Sequence, residues 1–216
     1  MYLSRIKINL ARRGARKLLG SSQVMHATVL ASFPQPAGDV GRVLWRIDKD
    51  TGEGFMWLYV LSRPAPDFAH IVEQAGWPTT TEGWVTRPYE PLLERLAVGQ
   101  RWGFRLTANP VKADATKGKG RFGHVTVRQQ EQWLMDRATG WGFAVPERDG
   151  ARDLVVHDRT VDQFRHGKSL VTLAKATYDG TLTIVDAEAL RRVMINGAGH
   201  GKAYGCGLLT LAPLPG

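Results

Sequence analysis

A glycine-rich segment at residues 197–207 is the part of the sequence whose residue types and spacing most directly indicate chemistry. It contains Gly197, Gly199, Gly205 and Gly207, with Lys202 among them. Glycine lets a backbone approach a ligand closely, and successive N–H groups beside a lysine form an anion site. The segment lacks the first glycine and the final Ser or Thr of a Walker A loop. Two interpretations stay open: contact with a phosphate backbone, or a helix C-cap followed by a connection.

Histidine is the other residue type suited to reaction near neutral pH, because its unperturbed pKa lies there. The sequence has six of them: His26, His70, His124, His157, His166 and His200. They are scattered, and with one cysteine they form no familiar zinc spacing, so we expect neither a metal nor a cofactor. A lone histidine on an amphipathic helix is usually a core or surface residue, so the spacing alone selects no site.

The net charge of +9 and the isoelectric point near 10.0 indicate a polyanionic partner. Nucleic acid is the first interpretation, an anionic membrane surface the second, and a merely basic protein the third. Cys206 is the single cysteine, which excludes an internal disulfide and fits a reducing compartment. We find neither the apolar core of a signal peptide nor an apolar run of roughly 20 residues, so we expect a cytoplasmic protein that does not contact a membrane.

The elements that must position these residues follow one order twice. In the first half, alternating residues predict a strand at 2–10, and Ser21 or Ser22 caps a helix to Ser32. Strands at 43–47 and 55–61, a helix at 67–74 and a strand at 84–89 complete a βαββαβ unit. In the second half, the same order is predicted over 101–108, 128–137, 154–161, 170–185, 187–195 and 208–211.

We therefore predict an α+β fold of two tandem ferredoxin-like, or RRM-like, units. The predicted domains are 1–95, which carries His26, and 96–216, which carries a basic hairpin turn and the glycine-rich segment. The predicted connection lies between residues 91 and 100. Four tryptophans, Trp45, Trp57, Trp84 and Trp102, fall in or beside predicted strands, where we expect them in the core rather than stacking on bases.

Four segments give the chain a family resemblance. The pattern Gly-x-Gly, five residues, Gly-x-Gly at the last helix–strand junction resembles the loop of the repeat-associated RNA-binding superfamily. The opening, residues 1–5, the mid-chain segment 105–112 and the ending 205–214 are similar to those of the CasE family. The resemblance implies the RNA-maturing ribonuclease of type I-E CRISPR systems. Such an enzyme makes a metal-independent cut at the 3′ base of a repeat stem-loop and keeps its product within the Cascade complex.

The resemblance also implies catalytic residues. The family's catalytic histidine stands on the first long helix, a few residues before an aromatic–proline stop, and His26 before Phe33 and Pro34 matches that placement. Many members have a tyrosine one turn earlier, where this chain has Gln23. We expect His26 to act as general acid or base, giving a 2′,3′-cyclic phosphate and a 5′-hydroxyl. Lys112, with Lys202 and Lys168, is a candidate cation for the charged intermediate.

Three basic groups are candidates for holding the RNA, and a solvated face is the alternative for each. The first lies after the opening strand, the second in a predicted turn at 164–169, and the third around the glycines. The residues are Arg12, Arg13, Arg16, Lys17, Arg165, His166, Lys168, Gly197, Gly199, Lys202, Gly205 and Gly207. A-form RNA presents phosphates and 2′-hydroxyls more readily than base edges, so these contacts would position a stem.

Two alternatives to the endoribonuclease remain open. Because Gln23 replaces the family's usual tyrosine, the same fold could serve as a non-catalytic subunit that binds the hairpin of the mature CRISPR RNA (crRNA). A purely structural Cascade subunit would be indifferent to free RNA. Salt-sensitive affinity distinguishes an RNA binder from a structural subunit.

Overall fold

The computed structural model describes residues 1–33, 41–49, 54–80, 83–113, 121–166 and 169–214. The chain divides into two compact units. The first comprises Met1–Arg95 with Lys202–Gly205, and the second comprises Leu96–Gly201 with Cys206–Gly216. The glycine-rich segment, which we predicted to lie wholly in the second domain, is thus divided between the units.

The first unit is a four-stranded antiparallel sheet with helices on one face. Its elements are β1 (Tyr2–Asn9), α1 (Arg13–Leu19), α2 (Ser22–Leu30), β2 (Leu44–Lys49), β3 (Phe55–Ser62), α3 (Ala69–Ala75), β4 (Trp84–Pro88) and α4 (Glu90–Arg95). The strands lie in the order β2-β3-β1-β4, which is the ferredoxin-like order. A 3-10 turn, Lys202–Tyr204, packs against α2 and β2 from the far end of the chain.

Local sequence explains how the first unit forms. Along β1, Ile6 and Ile8 are buried while Arg5 and Lys7 are exposed, as alternation on a half-buried strand requires. The Ser21 hydroxyl accepts a hydrogen bond from the Val24 N–H and so caps α2, as predicted. Residues from β1, α2 and α3 then share one apolar core, which includes Met25, Val29, Phe68 and Ile71.

The second unit repeats the topology with more small strand pairs. Its elements are β5 (Arg101–Ala108), β6 (Val111–Ala113), β7 (Arg121–Gly123), α5 (Val127–Ala138), β8 (Phe143–Ala144), β9 (Glu147–Arg148), β10 (Ala151–Arg152), β11 (Leu154–His166), β12 (Ser169–Ile184), α6 (Ala187–Asn196) and β13 (Leu209–Ala212). The main sheet has the order β11-β12-β5-β13, so the prediction of two ferredoxin-like units is confirmed. Thr126 and Asp186 cap the two helices through their side chains.

The differences from the predicted elements are local. The basic stretch after β1 forms the short helix α1, and the predicted connection contains α4. The predicted turn at 164–169 is wrong at both ends, because β11 continues to His166 and β12 begins at Ser169. Strand pairing supplies hydrogen bonds for these polar residues, which overrides their preference for a turn.

The tryptophan prediction is confirmed for Trp45 and Trp84 and wrong for Trp57. The Trp45 side chain is buried, with 3% of its surface exposed. The other three tryptophans are partly buried, and Trp84 packs against the apolar core of the first unit. Strand alternation places Trp57 opposite Lys7, on the sheet face away from the helices, so the core does not enclose it.

Two further features of the described residues bear on the kind of site. No helix among them has the length and apolar character needed to cross a membrane. No group of three or more His, Cys, Asp or Glu side chains within the described ranges is arranged to hold a metal ion.

Candidate active site

His26 lies half-buried on α2, one turn before the helix ends. Its neighbours on the helix, Met25 and Val29, are buried in the core and fix the orientation of α2. Phe33 is also buried, whereas Pro34 falls outside the described residues. The histidine is therefore held at the edge of the core, where one side of its ring meets protein and the other can meet a ligand.

The indole N–H of Trp45, on β2, donates a hydrogen bond to His26 Nδ1 over 3.3 Å. Because Nδ1 accepts, the neutral ring carries its proton on Nε2. Burial lowers the pKa of His26 below its usual value of 6.5. The hydrogen bond acts in the same direction, since an imidazolium has no lone pair with which to accept it. The ring is thus neutral at pH 7 and presents Nε2–H.

Gly205 allows the glycine-rich segment to pass close to the Trp45 ring. It has φ +83, and a Cβ at this position would lie 2.6 Å from the Trp45 ring. Only glycine allows both that backbone conformation and that approach. The backbone at Gly205 therefore contacts one part of the indole, while His26 accepts a hydrogen bond from its N–H.

Lys202 supplies positive charge to the same unit. It begins the 3-10 turn that packs against α2, and its side chain is partly buried. Burial, with the nearby guanidinium of Arg42, lowers the pKa of Lys202 from its usual 10.5. Two cations thus lie close together there, which favours an anionic ligand.

The other predicted catalytic residues lie in different surroundings. Gln23 is partly buried on α2, one turn before His26. Lys112 lies exposed on β6 of the second unit, where its charge helps to lower the pKa of His124 after burial and Arg137. The structure therefore places Gln23 on the helix of His26 and places Lys112 beside His124.

The idea that the glycine segment offers a row of free N–H groups is wrong for two of its glycines. The Gly197 N–H donates to Val193 O over 2.8 Å and caps α6, while the Gly207 N–H donates to Thr107 O over 2.7 Å. Ala198 N–H also donates, to Gly207 O. These N–H groups therefore donate their hydrogen bonds within the protein. Gly197 is the C-cap of α6, which was the alternative interpretation of the segment. Gly199 lies against the ring of Trp133, which a Cβ would approach to 3.2 Å.

The four side chains of the first basic group differ in their contacts. Arg12 donates to the carbonyl oxygens of Glu73 and Gly76, so its guanidinium stabilises the C-terminal end of α3. The other three side chains, on α1, are exposed: Arg13, Arg16 and Lys17. Three of the four predicted side chains therefore remain accessible to a ligand.

The second basic group lies at the tip of a long hairpin. Residues Thr160–His166 of β11 pair with β12 beyond Ala176, the last residue of β12 that pairs with β5. The hairpin continues past the sheet as a two-stranded ribbon of roughly 20 Å, at about 3.3 Å per residue. The backbones of Arg165 and His166 belong to β11, and Lys168 lies outside the described residues.

Two residues of this site were missed by sequence reasoning. Trp45 was assigned only to the core, and Arg42 was not considered. No local signal marks either of them, because their partners, His26 and Lys202, are distant in the sequence. These residues come together only because the Lys202–Tyr204 turn packs against both α2 and β2.

The fold and the site define a class of protein: two tandem ferredoxin-like units, with a neutral histidine and the Lys202–Tyr204 turn on the first unit. Comparison with known proteins narrows the class. Residues 1–213 match the family described as CRISPR associated protein. The chain is 31% identical to the CRISPR-associated endoribonuclease Cse3 of Thermus thermophilus, covering 99% of this chain and 100% of that protein.

Two other matches agree. The chain is 30% identical to the CRISPR system Cascade subunit CasE of Escherichia coli K12, over 99% of this chain and 100% of that protein. A solved structure of the CRISPR endoribonuclease Cse3 bound to a 19-nucleotide RNA superimposes with a TM-score of 0.81 and 29% identity, covering 99% of this chain and 100% of that one. The chain belongs to the CasE family of type I-E CRISPR-associated proteins.

Proposed function

We propose that this protein is the endoribonuclease that matures CRISPR RNA in its type I-E system. It cuts each repeat at the 3′ base of the stem-loop and then stays on the crRNA within Cascade, in the cytoplasm. Full-length similarity to an endoribonuclease and to a Cascade subunit supports the activity and these partners. The observation that carries the catalytic assignment is the hydrogen bond from the Trp45 N–H to His26 Nδ1, which favours the neutral ring with its proton on Nε2.

The reaction requires two proton movements. The 2′-hydroxyl beside the scissile phosphate loses its proton to solvent as it attacks phosphorus, and the departing 5′-oxygen gains one. The bond from phosphorus to the 5′-oxygen breaks, leaving a 2′,3′-cyclic phosphate and a 5′-hydroxyl. We assign the second proton movement to His26, whose Nε2–H first donates a hydrogen bond to the phosphate.

The lowered pKa of His26 in the RNA-free protein fits this role, because bound RNA raises that pKa. A bound phosphodiester places a negative charge beside the ring and raises its pKa from the lowered starting value. The ring then takes up a proton near neutral pH, and as imidazolium it gives the Nε2 proton to the 5′-oxygen. Protonation of Nδ1 breaks the hydrogen bond from Trp45. This hydrogen bond therefore opposes protonation of the ring, and the negative charge of bound RNA offsets it.

Lys202 is our candidate for stabilising the pentacoordinate phosphorus. Its ammonium lies on the turn packed against α2, and Arg42 adds a second positive charge. Cations already in place where charge develops stabilise the transition state without reorganisation. Gln23 has no group that titrates near pH 7, so we assign it to orienting the phosphate or the 2′-hydroxyl.

The test uses end-labelled repeat RNA from the host's own CRISPR array, excess protein and EDTA. Wild type is expected to make one cut at the 3′ base of the stem. His26→Ala is expected to bind the RNA within about twofold of wild type but cut it about 10²- to 10⁴-fold more slowly, the usual contribution of a proton-transfer residue. His70→Ala is the matched control, since His70 lies in the same unit and contacts Thr28 O instead.

The outcomes separate the candidate functions. Equal loss of cutting in both variants would argue against a specific role of His26. Tight binding without cutting by wild type would favour the non-catalytic hairpin-binding subunit, for which the glutamine at position 23 is the observation in favour. Cutting that stops in EDTA would contradict the metal-independent reaction.

A further inference from the structure

A cavity of about 510 Å³ on the first unit is lined by aromatic and cationic side chains that the proposed reaction does not use. Arg5, Lys7, Phe55, Trp57 and Trp77 are among its lining residues. In the strand register Lys7 stands opposite Trp57, on the sheet face away from the helices. The cavity therefore lies apart from the core that positions His26.

The rings and cations of this cavity are in contact. The Arg5 guanidinium carbon is 4.7 Å from the Trp57 ring centre, and Lys7 Nζ is 4.5 Å from that of Phe55. The Trp77 ring meets Phe55 edge-on, with ring centres 6.2 Å apart. Cation–π contacts of this kind hold the charged groups over the aromatic surface.

The charge at the cavity is positive and is not neutralised by the described residues. Among the lining residues that the structure describes there is no Asp or Glu, and neither Arg5 nor Lys7 forms an ion pair with a described carboxylate. Asp48, which pairs with Trp57 across the strands, is engaged by Arg46 through two hydrogen bonds of 2.6 and 2.8 Å. A ligand that fits would be anionic and would carry flat aromatic groups.

We propose that this cavity binds single-stranded RNA that extends from the stem-loop. A base stacks on Trp57 or Trp77, and Arg5 and Lys7 hold the adjacent phosphates. Stacking on aromatic side chains beside a cationic groove is how proteins hold single strands without reading sequence. The identity of the RNA rests on the proposed function, but the contacts themselves do not involve His26.

The experiment measures the affinity gained from a single-stranded extension. Two RNAs are compared by fluorescence anisotropy: a blunt repeat stem-loop, and the same stem-loop with about eight nucleotides added at its 5′ end, which a cut at the 3′ base does not remove. About eight nucleotides lies within the length that one single-strand-binding domain covers. The variants are Trp57→Leu, which keeps an apolar side chain, and the double variant Arg5→Ala with Lys7→Ala. The control, Arg101→Ala with Arg128→Ala, removes two exposed charges from the other unit.

Wild type and the control are expected to bind the extended RNA about tenfold or more tightly than the blunt RNA, the contribution of about one stacked base. Both cavity variants should lose that difference while binding the blunt stem-loop, and cutting the full repeat RNA, as wild type does. The double variant should also lower the salt slope for the extended RNA by about 1.4, at about 0.7 for each single-strand phosphate contact.

Equal binding of the extended RNA by wild type and both variants would overturn the proposal. If those variants then failed to assemble with other Cascade subunits, the cavity would be a protein interface instead. Failure of the proposed function has a different signature, because wild type would then leave the full repeat RNA uncut while the extension still contributed affinity. Loss of the extension's contribution with normal cutting would leave the endoribonuclease assignment intact.

Discussion

Trp45 selects the tautomer of His26, whose pKa is lowered by burial. An indole N–H is a donor only, so it can bond the imidazole through a lone pair but not through an N–H. The bond to Nδ1 therefore selects one tautomer and disfavours the protonated ring, in the same direction as burial. A phenylalanine would fill similar space without making that selection. This difference makes Trp45 a positioning residue whose effect can be separated from packing.

We expect Trp45→Phe to raise the pKa of free His26 while leaving it below 6.5, since burial remains when the donor is lost. The sign follows because the neutral form loses its hydrogen bond and the charged form loses nothing. A titration followed by NMR of the labelled histidine ring measures the shift. Trp57→Phe is the control, and it should leave the titration of His26 where it is in wild type. A pKa that falls in Trp45→Phe would contradict the hydrogen bond.

The Lys202–Tyr204 turn is the element that links the end of the chain to the first unit. It packs against α2 and β2, and Gly205, which follows it, meets the Trp45 ring. The turn thus brings Lys202 to the helix of His26, although more than 170 residues separate them in the sequence. In the second unit, the glycines at 197 and 207 instead close hydrogen bonds within the unit.

Gly205→Ala should therefore destabilise the protein and slow RNA cutting together. The substitution adds backbone strain at φ +83 and a contact at 2.6 Å with the Trp45 ring. Gly99→Ala is the matched control, because Gly99 has φ +87 but open space around its Cβ position. We expect a loss of about 1 kcal/mol in the control, from strain alone, and a larger loss in Gly205→Ala. Chemical denaturation followed by fluorescence measures both.

Equal destabilisation by the two alanines would show that the indole adjusts to the new methyl group. In that case the slower cutting expected of Gly205→Ala should also be absent. Slower cutting without any change in stability would instead indicate that Gly205 contacts the RNA itself, as the sequence pattern predicts.

The whole molecule carries an excess of nine positive charges over two units of the same topology. Exposed cations lie on α1 of the first unit, and the second unit extends a hairpin ribbon with Arg165 and His166 near its tip. Ions released from the phosphates of a bound stem make such binding depend strongly on salt. Charge is therefore a property that distinguishes the RNA binder from a purely structural subunit.

We expect the affinity for the repeat stem-loop to fall about 10³-fold between 50 and 200 mM salt, as about six phosphate contacts would produce. Anisotropy measurements with His26→Ala avoid cutting during the titration. An affinity that changes less than about threefold over this range would contradict phosphate recognition and favour the structural subunit. Combined substitution of Arg13, Arg16 and Lys17 by Ala should reduce the salt dependence if α1 contacts the stem.

Much of the fold could be predicted because its determinants are local. Alternation along β1, the serine cap of α2 and the aspartate cap of α6 are each set by residues within a few positions of one another. The missed helices α1 and α4 are one to two turns long, and their periodicity is too short to distinguish from a connection. The turn at 164–169 failed because pairing with a partner strand, not composition, determines where β11 ends.

The sequence by itself determined the order of elements, the basic charge, the family and the identity of His26 as the candidate catalytic residue. Tertiary structure decided which partner the imidazole has, because Trp45 reaches it only when β2 packs beside α2. It also decided that Lys202–Gly205 joins the first unit and that Trp57 faces a cavity rather than the core. The physical reason is the same in each case: a contact between residues far apart in the sequence depends on the packing of whole elements, which no local pattern records.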